Sequence, residues 1–509
     1  MKAVSGTHMR SIEAAAIQQG LVDSWSLMTR AGEALAREAE AFHDRGAFYA
    51  VLAGKGNNAG DGFIAAKALF ERGYRVRIFH VCPGTEYRGD ALRAWSQLPA
   101  GIECSQEMHA ADLAGAVVID ALLGTGFGGA LKEPWLHWIN LVNYLNLPVI
   151  AVDLPSGLDA DDGGTPGGAA VRADVTVTFG YPKTGMLTGQ GPALCGRVRV
   201  IDIGLPDELP DAPVMRIVPC TGLADVRRSL SLAPVEFDTY KQKRGHVAVI
   251  GGSSDYPSAP FLTAEAALRA GAGLATVYVP ASMEIVCAPP KALIVKRLPD
   301  DGNGVFSARS ADALELPPNV SAVAAGMGMN TAGETVPFLR KLMAAAQCPL
   351  VLDADALNLI SKHPDLLYEL GTATVVTPHE GEMKRLEAAI GLKPGRNRVE
   401  RAEAFARLTA LHVVLKGVRS VVMSPNGLYT LNLSGSPVLA TAGSGDILSG
   451  IVAALASASN SLFTAAKNAV FVHGLLGELD APLAGRGLIA DDLLTRIPAA
   501  FDFIRTGGI

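Results

Sequence analysis

No five consecutive residues share one sign of charge, and 44 Lys and Arg stand against 50 Asp and Glu for a net charge of −6. Nucleic acid and anionic membranes both reward clustered cations, so neither is expected as the main partner. The six cysteines (82, 104, 195, 220, 287, 348) lie 22 to 91 residues apart. No pair has the close spacing of a zinc knuckle or a redox motif, which points to reduced, partly buried thiols in a cytoplasmic protein. The opening MKAVSGTHMRSIEAAAI lacks the apolar centre of a secretory signal. The least charged stretch, residues 447–466, has the length of a membrane span but carries four Ser, one Asn, one Thr and a Gly, so a buried helix is expected there. Glycine, by contrast, is plentiful. The 55 glycines among 509 residues cluster at the ends of apolar runs, where α/β enzymes keep phosphate loops, and this excludes collagen, coiled coil and disorder.

Tryptophan stops early. All four (25, 95, 135, 138) fall in the first 138 residues and the remaining 371 have none, which suggests two units of different origin. The stretch 205–234 reads as the joint, because Pro206, Pro210, Pro213, Pro219 and Pro234 disfavour regular structure. We therefore expect two α/β domains in tandem, at 1–210 and 225–509. In the first, helices are expected at 10–19 and 26–43, and strands at 48–52, 76–81, 117–119, 149–152, 175–179 and 198–201. In the second, strands are expected at 247–250, 275–279, 322–325, 350–352, 374–376 and 413–415, with a hairpin from 420–423 and 428–433. Apolar strands separated by helices imply parallel sheets covered on both faces.

Four loops of the first unit follow strands. Residues 54–62, GKGNNAGDG, lead into the helical stretch FIAAKALFERG and combine backbone freedom with hard oxygens from Asn57, Asn58 and Asp61. Residues 117–129 match G-x-G-x-x-G at Gly124, Gly126 and Gly129, but four residues part the strand from the first glycine and Pro134 soon interrupts any helix. A flexible phosphate-contacting loop fits better than a hydride-transfer fold. Asp120, Asp153 with Ser156, and Lys183 also stand at carboxyl ends of strands, and together the four loops point to one crevice.

GxGNNxGDG, Asp-x-x-x-Gly-Thr-Gly, DLPSGL and GYPKTG together resemble the YjeF amino-terminal family of NAD(P)H-hydrate epimerases, over about residues 9–204. The resemblance implies a Rossmann-like fold. It places the hydrated nucleotide at Asn57, Asn58, Ala59, Gly60, Asp61, Gly124, Thr125, Gly126, Phe127, Gly128, Gly129, Ala130 and Asp153, and a potassium ion at Asn58, Asp120 and Ser156.

In the second unit, VAVIGGS enters a Gly turn ahead of Ala259, and AGMG ends at Gly328. Asp353 and Asp355 either hold a hydrated cation or cap the next helix. His379 sits among carboxylates on a strand-to-helix turn, which suits a ligand role. Lys416 and Gly417 follow a strand and suit nucleotide phosphates. Thr441-Ala-Gly-Ser-Gly-Asp446 opens an apolar helix. Its amides would stabilise a moving phosphoryl group and Asp446 would take a hydroxyl proton.

The Gly-x-Gly-Asp turn resembles the ribokinase-like superfamily. KxxxGHVxVIGGS, DADALN, TPHxGE, KG and GSGD resemble the YjeF carboxyl-terminal family, the ADP-dependent NAD(P)H-hydrate dehydratases, over about residues 237–503. The resemblance implies hydrate contacts at Ala259, Gly328, His379 and Asp446, with ADP at Lys416, Gly417, Val418, Arg419, Ser420 and Gly445. This chain has Glu380 where that family often has Pro.

The two resemblances together imply nicotinamide repair. The substrates would be hydrated NADH or NADPH, with ADP, magnesium and potassium as the other small molecules, and the enzyme a homo-oligomer. The second domain would phosphorylate the S hydroxyl at C6 with ADP, using Asp446, and expel phosphate. The first would interconvert R and S, with Asp153 as acid/base and Lys183 as a second candidate. The alternatives are a small-molecule kinase fused to a nucleotide-binding regulator, and a first unit that is only a scaffold.

Overall fold

Among the described residues the first sheet has seven strands, and all run parallel. In spatial order they are Glu103–Ser105, Val76–His80, Phe48–Ala53, Ala116–Ala121, Val149–Val152, Val175–Phe179 and Arg197–Ile201. Numbered along the chain, that order is 3-2-1-4-5-6-7, a doubly wound sheet whose winding reverses between Phe48–Ala53 and Ala116–Ala121. The structure is a computed structural model that describes residues 2–42, 48–205, 218–230, 238–395, 397–479 and 487–507. It divides the chain into two compact units, Met1–Pro219 and Cys220–Ile509.

The two strands flanking the reversal, FYAVLA and AVVIDA, are buried along their whole length. Phe48, Ala50, Leu52 and Val118 pack on one face against Trp138, Ile139 and Val142 of helix Trp135–Leu145. Helix Asn57–Glu71 covers the other face, and Gly62 lets it approach closely: a Cβ there would lie 2.8 Å from that of Ala121. Continuous apolar runs are what burial on both faces requires.

The second unit's sheet contains, in order, Val218–Thr221, Tyr429–Asn432, Val421–Met423, His412–Leu415, Thr374–Val376, Leu350–Leu352, Ala322–Ala325, His246–Ile250, Leu274–Pro280 and Ile294–Leu298. From His412–Leu415 onward the strands are parallel, and the hairpin beside them is antiparallel. Helices Ala259–Arg269, Ser444–Ser457, Leu462–Leu476 and Ala490–Thr506 share a core rich in Ala, Val, Leu and Ile. The α/β expectation holds for both units.

Four local expectations need correction. The helix expected from Phe63 begins at Asn57, because Gly56 caps it and the Asn-Asn pair forms its first turn. The joint is not wholly irregular. Val218–Thr221 is a strand whose Cys220 and Thr221 pair with Leu431 and Asn432, clear of Pro219, and Leu223–Ser229 is a helix. Pro206, Pro210, Pro213 and Pro234 of that joint lie outside the described residues, as does His43 at the end of the expected second helix. The single buried helix expected over 447–466 is two, Ser444–Ser457 and Leu462–Leu476, because Ser461 caps a new start by accepting from the Thr464 amide. Edge strands Glu103–Ser105 and Ile294–Leu298, both largely exposed, were not expected. Among the described residues no helix is long and apolar enough to cross a membrane.

Candidate active sites

Where the first sheet reverses, the strand ends diverge and a cavity of about 630 Å³ opens. Asn57, Asn58, Asp61, Gly124, Thr125, Gly126, Phe127, Gly128 and Asp153 line it. Ala59 and Gly60 instead face inward, Gly60 against Met28, and Gly129 and Ala130 are exposed beyond the lining. Gly54 allows the loop after Phe48–Ala53 to turn into the cavity wall, since a Cβ there would fall 1.7 Å from the Leu122 carbonyl oxygen.

Asp153 ends strand Val149–Val152 with φ +62°, a left-handed conformation that a non-glycine residue holds only when its surroundings enforce it. Here its amide donates to the Val177 carbonyl at 2.8 Å and its Oδ1 accepts from Thr178 Oγ1 at 3.1 Å and from Lys183 Nζ. Lys183 is buried and also donates to Thr178 Oγ1 (3.0 Å) and the Phe179 carbonyl (3.3 Å). It braces Asp153 from behind. Three further carboxyl residues, Glu13, Asp61 and Asp90, line the same cavity. Asp61 is pushed well above the usual carboxylate range by burial and by the charges of Asp153 and Glu13, with Lys183 opposing. Glu13, on helix Gly6–Gln18, is raised by burial and by Asp153, against Lys183 and Arg10. Glu13 escaped the sequence reading because a lone acid on an N-terminal helix looks like a solvated face.

The three residues expected to hold potassium converge on one turn. Ser156 donates to both carboxylate oxygens of Asp120, from its amide at 2.8 Å and its hydroxyl at 2.6 Å. The Leu123 amide donates to Ser156 Oγ (2.8 Å), and Asn58 Nδ2 donates to the Leu123 carbonyl (3.2 Å). Asp120 is fully buried, and burial pushes its carboxyl up to about 6 despite bonds from Ser156 and Leu122. Among the described residues no lysine or arginine pairs with it. The buried Asp120 carboxylate accepts from the Ser156 amide and hydroxyl and the Leu122 amide, and with the Ser156 hydroxyl and the Asn58 side chain at the same turn it offers the hard oxygens that suit a monovalent cation.

In the second unit the parallel strands deliver their loops to one edge. Helix Ser444–Ser457 starts at the GSGD turn, where Gly443 adopts φ +83°. Asp446 lies in its first turn, half-buried, and its carbonyl accepts from Thr263 Oγ1 at 3.0 Å. His473, half-buried on Leu462–Leu476, places Nε2 2.9 Å from the Ser444 carbonyl and 3.0 Å from its hydroxyl. Burial lowers His473 to about 4, so it is neutral and a fixed donor. Burial, together with the nearby Asp353 charge, pushes Asp446 up to about 7, with Lys416 opposing. Asp353 accepts from Lys416 Nζ at 2.6 Å and from Ser449 Oγ at 2.8 Å. Burial works against the Lys416 charge, but Asp353 and Glu382 outweigh it and hold the ammonium above its ordinary value. The two acids of DADALN thus part company. Asp353 neutralises Lys416, while Asp355 accepts from the Asn330 amide at 3.0 Å.

His379 caps helix Glu380–Ala389: Nδ1 accepts from the amides of Gly381 (2.9 Å) and Glu382 (3.4 Å), which assigns the proton to Nε2. Burial and the Lys416 and Arg385 charges depress its pKa. Ala259 and Gly328 are neighbours, since a Cβ on Gly328 would stand 3.3 Å from that of Ala259. Of the residues expected at ADP, Lys416 and Gly445 adjoin one another, with a Cβ on Gly445 3.5 Å from Nζ. Val418 is exposed, whereas Arg419 is buried with Nη1 donating to the Leu433 carbonyl, so its charge serves the loop's fold. Thr263 and His473 were not singled out from sequence, whereas Glu382 is expected beside His379 on the strand-to-helix turn, where it lies. His473 was the one with a visible signal, a polar residue inside the apolar FVHGLL.

Residues 24–185 match the profile of the YjeF-related protein N-terminus, and residues 247–499 that of NAD(P)H-hydrate dehydratase. The bifunctional NAD(P)H-hydrate repair enzyme Nnr of Moorella thermoacetica is 34% identical over 98% of this chain and 96% of its own. That of Coxiella burnetii is 33% identical over 96% and 97%. Among solved structures, the ADP/ATP-dependent NAD(P)H-hydrate dehydratase of Bacillus subtilis, co-crystallised with ATP/Mg2+, is 25% identical with a TM-score of 0.46, covering 56% of this chain and 99% of that one. Near-complete coverage by relatives one-third identical, with both domains in the same order, means that the chain belongs to the family of bifunctional NAD(P)H-hydrate repair enzymes.

Proposed function

We propose that the first unit interconverts the R and S epimers of NADH hydrate and NADPH hydrate, and that the second dehydrates the S epimer with ADP, giving NAD(P)H, AMP and phosphate. The observation that carries the dehydratase half is Asp446, half-buried in the first turn of a helix whose leading amides face an incoming anion. With its pKa near 7 it is a base at working pH. Asp446 takes the C6 hydroxyl proton and the oxygen attacks the β-phosphorus of ADP, releasing AMP. The turn around Gly445 stabilises the moving phosphoryl group. The ring nitrogen then expels phosphate, and loss of the C5 proton restores the dihydropyridine. Lys416, screened by Asp353, supplies a fixed positive charge beside Gly445. His379 offers Nε2–H to the hydrate.

Magnesium would enter on the ADP phosphates. Among the described residues no group of three or more His, Cys, Asp or Glu forms a cage of its own, the usual situation for a nucleotide-borne ion. In the first unit Asp153 protonates the C6 hydroxyl so that it leaves as water, the ring nitrogen stabilises the C6 cation, and Asp153 takes a proton back from the water that adds to the opposite face; Lys183 positions Asp153. Potassium would sit at Asp120, Ser156 and Asn58 and neutralise the buried carboxylate under the loop at 122–128. The reading includes a homo-oligomeric, cytoplasmic enzyme, testable by light scattering and cell fractionation. Incubating mixed hydrate epimers with ADP and magnesium tests the whole scheme: complete return of the NADH near-ultraviolet absorbance supports it, and an accumulating stable phosphoester refutes it.

A further inference from the structure

Two turns of the second unit carry different substrates on the reading above. One holds His379, the other is the stretch 416–420. Their backbones touch where the Lys416 amide donates to the Pro378 carbonyl at 2.8 Å. A second connection runs through side chains. Glu380, the first residue of the helix that His379 caps, accepts from Arg398 Nε at 2.7 Å and from Arg401 Nη1 at 2.5 Å. Arg401 is itself clamped by Glu387, at 2.9 and 2.8 Å.

Arg398 spends its other donors on the second turn. Nη2 donates to the Leu415 carbonyl at 2.8 Å, and Nη1 to those of Val418 at 2.5 Å and Arg419 at 3.3 Å. The guanidinium lies directly beneath Gly417, where a Cβ would come within 2.7 Å of Nη2. Because a peptide's C=O and N–H point in opposite directions, gathering these carbonyls on Arg398 turns the 418–419 and 419–420 N–H groups the other way, toward where an anion would lie. One planar cation therefore shapes the phosphate turn while fixing the start of the His379 helix. Neither Glu380 nor Arg398 belongs to the residues expected at substrate.

We infer that Glu380 and Arg398 are positioning residues that couple the two turns, so that nucleotide bound at 416–420 and nicotinamide bound at His379 strengthen one another's binding. The inference rests on the dehydratase reading. Phosphates that settle on the turn fix Arg398, Arg398 fixes Glu380, and Glu380 fixes the helix start that aims His379. Linkage makes the effect mutual: each ligand must tighten the other by the same factor.

Calorimetry on the full chain tests this with MgADP and NADPH, an unreactive pair because NADPH is the product. Each dissociation constant is measured alone and with the other ligand saturating. Glu380→Pro removes the carboxylate while suiting the backbone, since proline favours the first helical position and His379 before it is already extended at φ −80°, ψ 173°. Glu380→Gln is the gentler partner variant. In the unaltered chain each ligand should tighten the other by about fivefold or more. In Glu380→Pro the factor should fall to within about twofold of unity, and Glu380→Gln should lie between. Undiminished coupling in both variants overturns the inference, as does a wild type that dehydrates hydrate yet binds the ligands independently. A wild type that neither binds MgADP nor dehydrates hydrate overturns the underlying reading and the coupling with it.

Discussion

Lys183 stands behind Asp153, its side chain 1% exposed while that of Asp153 keeps 15%, and the two are joined by a direct ion pair. The lysine does not line the cavity; the aspartate does. Lys183 therefore acts on substrate only through Asp153. Asp153→Asn should slow R-to-S conversion at least about 100-fold, the scale of a lost acid/base group. Lys183→Met leaves the partly buried Asp153 carboxylate without its cation and should destabilise the first unit by up to about 3 kcal/mol, and adding Asp153→Asn should recover part of that loss. Epimer conversion followed by chromatography, with thermal unfolding alongside, checks both. Unchanged conversion in Asp153→Asn removes that residue from the chemistry.

Asp120 and Ser156 make the cation site testable without turnover. Potassium that binds the folded chain raises its unfolding temperature by mass action. Replacing choline by potassium should raise the midpoint of the wild type, and Asp120→Asn or Ser156→Ala should abolish that rise. A potassium response that survives both substitutions places the ion elsewhere.

The second anion site sets a steric test. A methyl added at Gly445 meets only Lys416 Nζ at 3.5 Å and Asp353 Oδ2 at 3.7 Å, ordinary contact distances. Gly445→Ala should fold normally, yet the methyl stands on the approach of the phosphoryl group. Dehydration should fall about 100-fold or more, comparable to losing one donor of an oxyanion hole, while epimerisation stays at its wild-type rate. Wild-type dehydration by this variant moves the phosphoryl group away from the GSGD turn.

The interior of both sheets was readable because buried parallel strands are short apolar runs that break off at polar or glycine-bearing loops. Edge strands such as Ile294–Leu298 were not, since half-exposed strands lose that pattern. The functional loops were readable for a local reason: GNNAGDG and GSGD each hold their chemistry within a few residues. Partners supplied from afar were hidden. Thr263 lies 183 residues from Asp446, and Arg398 reaches carbonyls 17 to 21 residues away. Glu13 faces Asp153 from the start of the chain. Each reads in isolation as a surface polar residue on a helix, and only the fold discloses what it touches.

Asp446 also has a stability signature. Its folded pKa of about 7 lies above the ordinary 3.8, so above neutrality the folded chain must hold a charge that the unfolded chain solvates freely. Asp446→Asn should therefore be more stable than wild type above pH 7, by on the order of 1–4 kcal/mol. The gain should shrink as pH falls from about 7 and vanish about a unit below the ordinary 3.8, where both states of the wild type are protonated. Unfolding midpoints across that range check the sign, and a destabilised Asn variant at pH 8 contradicts it.

The most direct measurement is the pH profile of S-hydrate dehydration with ADP and magnesium, in wild type and in Asp446→Ala. A base with pKa near 7 predicts a wild-type kcat/KM that climbs through pH 7 and levels above it. In Asp446→Ala the rate should fall about 10²–10⁴-fold and lose that rise. An alanine variant that regenerates NADH at the wild-type rate, with the same pH dependence, would contradict the account.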